Sequence, residues 1–192
     1  MKRSLLALTL LAALPFAASA AEGISYNYVE GGYTATNGDG DVDADGFGAN
    51  ASVAIHPNFH LFGGYSQQEV DDVDVDVDQW RAGVGYNLEV SPKVDLIARA
   101  AYEKVEVESF DADGYSAEVG VRSPLTSNLE GYASAGYEDF GDDDGFGEGD
   151  GDGDFYGRLG AQVKFNQNWG ISGDVKLSDG NTQWFVGPRL SW

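Results

Sequence analysis

Alternation with a period of two runs through nearly the whole chain, and few folds accept it. Along Trp80–Val90 one face carries Trp80, Ala82, Val84, Tyr86, Leu88 and Val90, and the other Arg81, Gly83, Gly85, Asn87 and Glu89. Successive side chains of a strand point to opposite faces, so such a segment is apolar on one side and charged on the other. The same reading holds for 47–56, 94–103, 115–122, 129–138, 155–165, 169–178 and 183–192. Two further segments alternate less cleanly. In 24–36, Glu30 and Thr34 mark one face and Val29 and Tyr33 the other, a phase that puts Tyr26 and Tyr28 beside Glu30. In 59–69, Leu61 and Tyr65 oppose His60, Phe62 and Ser66.

The connections alternate in length. Turns at 56–58, 91–92, 123–127 and 166–168 are short and carry Pro or Asn, as tight turns do. Longer acidic stretches at 37–46, 70–78, 106–114 and 139–154, with a shorter loop at 178–181, join the other ends. Four short turns and five loops connect about ten strands. Eight remain possible if the first strand and one hairpin are miscounted. The expectation is an all-β, antiparallel up-and-down transmembrane β-barrel with its longer loops outside the cell.

The distribution of charge decides which face is the core. Arg81, Arg99, Arg122, Arg158, Lys164, Lys176 and Arg189 share their faces with Glu89, Asp95, Glu103, Glu118, Glu130, Glu138 and Asp174. Charges out of water must be paired, so this mixture predicts a nearly neutral ionic lumen. The opposite faces are apolar and end in aromatics. Phe47, Tyr65, Trp80, Tyr102, Tyr115, Tyr137, Phe155 and Trp184 lie near the loops, and Phe59, Phe165, Trp169 and Trp192 near the turns. Two aromatic girdles around an apolar band suit the two membrane–water interfaces.

The N-terminus reads as a secretory signal: Lys2 and Arg3, the apolar stretch 5–16, then Ala18-Ser19-Ala20 as a cleavage site. Residues 1–20 are therefore expected to be removed, leaving one barrel domain over 21–192. With no Cys, disulfides and Cys-ligated metals are excluded. The net charge of −21 becomes −23 once Lys2 and Arg3 are lost, which disfavours nucleic acid as a partner.

The segments Ala21–Tyr33 (AEGISYNYVEGGY) and His56–Tyr65 (HPNFHLFGGY) resemble the small outer-membrane proteins of the Ax family, first described as an activator of plant immunity. In general architecture such a barrel is OmpX- or OmpA-like. The resemblance spans the mature chain, with more variable acidic loops. It implies an outer-membrane β-barrel, and an exported signal or elicitor as an alternative role; it carries over no functional residue. The terminal Trp192 likewise resembles the signal read by the barrel insertion machinery.

Chemistry is sparse. The two histidines, His56 and His60, flank the Pro57-Asn58 turn and are expected to line the lower rim, remote from the outer surface where a surface hydrolase would need them. No catalytic residue is assigned and no enzyme is expected. The Asp-rich loops stand out. Asp41-Val42-Asp43-Ala44-Asp45-Gly46 matches the D-x-D-x-D-G opening of calcium loops, and Asp150, Asp152 and Asp154 repeat its spacing. Position twelve of the first motif is Ser52 rather than a bidentate Glu, and Phe155 replaces the Gly in the second. The candidate metal ligands are therefore Asp41, Asp43, Asp45, Asp150, Asp152 and Asp154, for weak Ca²⁺ or Mg²⁺ with no other cofactor. The sequence thus points to a monomeric, non-enzymatic outer-membrane barrel. Its partners would be lipid, lipopolysaccharide and the insertion machinery, with a structural or surface-interaction role and a narrow pore as alternative.

Overall fold

The computed structural model describes residues 23–38, 42–70, 75–107, 110–142 and 153–192. They form ten strands: β1 Tyr28–Gly38, β2 Val42–His56, β3 Phe59–Val70, β4 Val75–Ser91, β5 Val94–Val107, β6 Phe110–Pro124, β7 Leu129–Asp142, β8 Asp154–Lys164, β9 Trp169–Ser178 and β10 Asn181–Ser191. Each pairs antiparallel with its chain neighbours, and β1 pairs with β10, so the sheet closes into a barrel without an edge. The expected count of ten holds, and the first doubtful strand is the one that completes the closure.

The phase inferred for every strand is the phase observed. Glu30 and Thr34 of β1 are buried in the lumen while Val29 and Tyr33 are exposed outside. On the outer wall, cross-strand register joins the upper aromatics into contacting pairs. Tyr65 meets Trp80 at 4.3 Å between ring centroids, Tyr102 meets Tyr115 at 5.6 Å, and Tyr137 meets Phe155 at 5.2 Å. At the short-turn end Phe59 packs on Tyr86 at 5.1 Å. Tyr86 therefore joins the lower girdle, a membership its position in mid-alternation conceals. Leu96, Val119, Leu159, Ile171 and Val186 are exposed between the girdles.

The strands run further outward than their alternation predicts. β2 begins at Val42, β4 at Val75 and β6 at Phe110, whereas β5 continues to Val107 and β7 to Asp142. Much of the sequence expected as acidic loop at 37–46, 70–78 and 106–114 is thus the upper wall of the barrel. The ladder bonds of neighbouring strands hold these residues extended despite the poor β-propensity of Asp.

Inside, glycines make room for rings. A Cβ on Gly85 would come within 2.1 Å of the His60 imidazole, and one on Gly160 within 2.2 Å of the Tyr132 ring. A barrel of this size normally fills with side chains, and these paired large and small residues are how it does so.

A charge placed on the outer band tests the membrane face. Leu159→Arg, between the girdles, is expected to lower stability by about 2–4 kcal/mol, and Thr182→Arg, beyond the upper girdle, by about 0–1 kcal/mol. Urea unfolding of the barrel in lipid vesicles measures both.

Candidate functional site

The lower lumen is closed by residues that precede the first strand. Gly23 adopts φ 89°, in the left-handed region open to glycine, and the segment from Gly23 to Asn27 crosses under the barrel. Lys164 Nζ donates to the Gly23 carbonyl. Ser25 Oγ donates to the Trp192 carbonyl at 3.0 Å, and the Trp192 N–H donates to the Asn27 carbonyl at 3.2 Å. The Asn27 side-chain oxygen accepts from the Ala54 N–H at 2.8 Å, beside the irregularity in the β2–β3 ladder. These bonds aim Tyr26 up into the lumen, where it is wholly buried.

Tyr26 is held on three sides. Its ring stacks on His60 with centroids 4.6 Å apart, and the Arg122 guanidinium lies over it at 4.9 Å. Its hydroxyl donates to Asp95 at 2.9 Å. Arg122 pairs with Glu130, which also receives Lys164 at 2.9 Å. Beside them Arg189 pairs with Glu30 at 2.6 Å and caps the Tyr28 ring at 4.1 Å. His60 is therefore not on the lower rim, as its place beside the turn suggests. It is part of the closure, accepting from Arg99 Nε at 3.3 Å, while His56 stays exposed at the rim.

The pairing loosens upward. Arg99 meets Glu118 at 3.2 Å, Arg81 meets Glu103 at 3.7 Å, and Arg158 meets Asp174 at 3.9 Å. Above these, Lys176 pairs with Glu138. An open vestibule of about 330 Å³ lies at this level, lined among others by Arg81, Glu103, Glu138, Arg158, Asp174 and Lys176. A smaller cavity of about 50 Å³ lies below it, between Arg99, Arg122, Tyr132 and Arg189. The expected ionic lumen is thus present, but it fills the lower part and leaves the upper part open.

Above the upper girdle the outer face turns acidic. Asp43 and Asp45 on β2, Glu69 on β3, Asp76 and Asp78 on β4, Glu106 on β5, Asp111 and Asp113 on β6, and Asp139 on β7 share the outward phase of their strands. Hydrogen bonds tie this collar to the girdle: Tyr65 donates to Asp78 at 2.6 Å, and Tyr102 to Asp113. Lys104 sits within the collar, and its bonds to Glu106 and Asp111 hold its ammonium above the usual lysine range.

Of the six aspartates singled out as metal ligands, three belong to the described residues. Asp41, Asp150 and Asp152 lie outside the described residues. Asp43 and Asp45 lie in β2, where extended geometry sets same-face neighbours about 7 Å apart rather than wrapping them around an ion. Asp43 Oδ1 accepts from Asn37 Nδ2 at 2.8 Å. Asp154 starts β8, on another wall of the barrel. Among the described residues no three acidic or histidine side chains converge on a metal position.

A closed antiparallel barrel with an apolar belt, two aromatic girdles and a charged lumen defines an integral outer-membrane β-barrel protein. The sequence agrees: the model of the outer membrane protein beta-barrel domain matches residues 4–148, and the chain belongs to that family. Its short-turn end is then the periplasmic one. Similar solved structures include a KdgM porin in complex with disordered oligogalacturonate (13% identity, 88% of this chain and 99% of that one covered, TM-score 0.42). The NanC porin is another (9%, 86% and 100%, 0.44). The translocator domain of the autotransporter NalP from Neisseria meningitidis is a third (12%, 89% and 90%, 0.44). No curated protein matches the chain.

Removing one partner of the buried pair at the closure leaves an uncompensated charge. Arg122→Met is expected to cost about 3–5 kcal/mol. Tyr26→Phe, which loses only a hydrogen bond to the Asp95 carboxyl, should cost about 1.5–3 kcal/mol. Equilibrium unfolding in vesicles compares the two.

Proposed function

We propose that the protein is a non-enzymatic structural and surface-interaction barrel: a membrane-anchored cup, closed toward the periplasm, that presents acidic groups at the cell surface. The observation that carries this reading is the closure around Tyr26, where a ring, an imidazole and an Arg–Glu–Lys ion group occupy the lower lumen with Tyr26, His60 and Asp95 wholly buried. Moving an ion through it would require breaking contacts among groups that cannot be left unpaired out of water. Planar-bilayer recording tests the reading. The native protein should show no steady conductance, and deletion of residues 23–27 should open cation- or anion-conducting events. Steady conductance by the native chain would make the protein a narrow pore instead.

The outward acidic collar supports a second part of the proposal: Ca²⁺ or Mg²⁺ bridges these carboxylates to the anionic groups of lipopolysaccharide. The collar lies above the girdle, at headgroup height, and like charges so close favour a hard cation with oxygen ligands. Ca²⁺ at ten times its Kd should then stabilise the barrel by about 1.4 kcal/mol. A chelator should remove the gain, and Asp43→Asn with Asp45→Asn should reduce it, as read by thermal unfolding in lipopolysaccharide-containing membranes.

A further inference from the structure

We propose that the vestibule floor is a binding site for a small solute bearing a carboxylate or phosphate group, held between Arg81 and Arg158. The two guanidinium groups border both the vestibule and the cavity beneath it. Each has an acidic neighbour only at 3.7 Å or 3.9 Å, beyond hydrogen-bond reach. Neither makes a hydrogen bond among the described residues, and the Nε of each is a buried donor without an acceptor.

Part of the cause is competition for the acids. Glu103 accepts from the Ser116 hydroxyl, and Glu118 accepts from Tyr156 at 3.2 Å and Ser134 at 3.4 Å as well as from Arg99. At Arg81 a hydroxyl donor therefore takes a carboxylate lone pair that would otherwise satisfy the guanidinium, and at Arg158 the Asp174 carboxylate stays 3.9 Å away. The lower lumen shows the contrast, since Arg122 and Arg189 hydrogen-bond directly to Glu130 and Glu30. The Nε donors of Arg81 and Arg158 are thus left without acceptors at the vestibule floor, and two guanidinium forks suit a planar or tetrahedral oxyanion.

The volume of about 330 Å³ falls at the low end of small-molecule pockets, about 300–1,000 Å³. The collar acids point outward, and the inner rim, lined by Thr36, Gln68, Val77, Gln79 and Asp179, carries a single carboxylate. The site does not depend on whether the lumen conducts, so recording currents and measuring binding test separate claims.

Titration of the refolded full barrel in detergent, with inorganic phosphate in one arm and glucuronate in the other, is the test. Saturable binding is expected in at least one arm, and the arm that binds identifies the oxyanion. Arg81→Gln and Arg158→Gln should each weaken it at least tenfold, whereas Lys93→Gln, at the turn between β4 and β5, should not. In the native protein, the Arg81 and Arg158 Nε–H resonances should shift on titration, a readout that needs no variant to fold. Absence of saturable binding in both arms, or binding with these two resonances unmoved, would overturn the proposal.

Discussion

Every charge inside this barrel must find a counter-charge inside it. The outer wall is apolar and offers none, and the lower lumen is too narrow for bulk water to solvate ions freely. Lys164, Glu130 and Arg122 form one chain of ions across the successive strands β8, β7 and β6, and Arg189 with Glu30 form another that links the last strand to the first. Glu30 belongs to the first strand and Arg189 to the last, so this pair ties the seam at which the barrel closes. The alternation places the charges inward, and the pairing then fixes the register.

Tyr26 extends that logic past the end of the sheet. A tyrosine can bury its ring between an imidazole and a guanidinium while its hydroxyl donates a hydrogen bond to a carboxylate, so it satisfies three polar neighbours at once. The segment that carries it need not be a strand. Its backbone carbonyls accept from Trp192 and Lys164, and its Asn27 side chain accepts from Ala54, at the seam and the turns. Residues 23–27 and Trp192 are consequently structural parts of the closure.

The barrel, its strand phases and its charged interior were legible because a period of two is local: each strand declares its faces without knowledge of its partners. Glu30, Arg81 and Glu118 could be assigned to the lumen for that reason. What was not legible depends on register and on contact. Tyr26 alternates in phase with Tyr28 and Glu30, yet its role as a closing group comes from His60 and Arg122, which lie 34 and 96 residues away by subtraction. His60 looked like a rim residue because it neighbours a turn. The acidic tracts looked like loops because Asp and Gly disfavour strands, and only the continuing ladders of their neighbours hold them extended. The loosened pairs at Arg81 and Arg158 follow from how Glu103, shared with the Ser116 hydroxyl, and Asp174 sit across the lumen, a matter of cross-strand position that single-strand alternation does not encode.

The central claim is a lumen open above and closed below. The chain contains no cysteine, so single cysteines can report on it without background. Gln183→Cys lies on the vestibule and Ser52→Cys in the buried lower lumen, where the Ser52 hydroxyl has no hydrogen-bond partner to lose. Labelling of the folded barrel with a charged maleimide should modify Gln183→Cys readily and leave Ser52→Cys unmodified until the protein is unfolded. Equal labelling of both in the folded protein would contradict the closure.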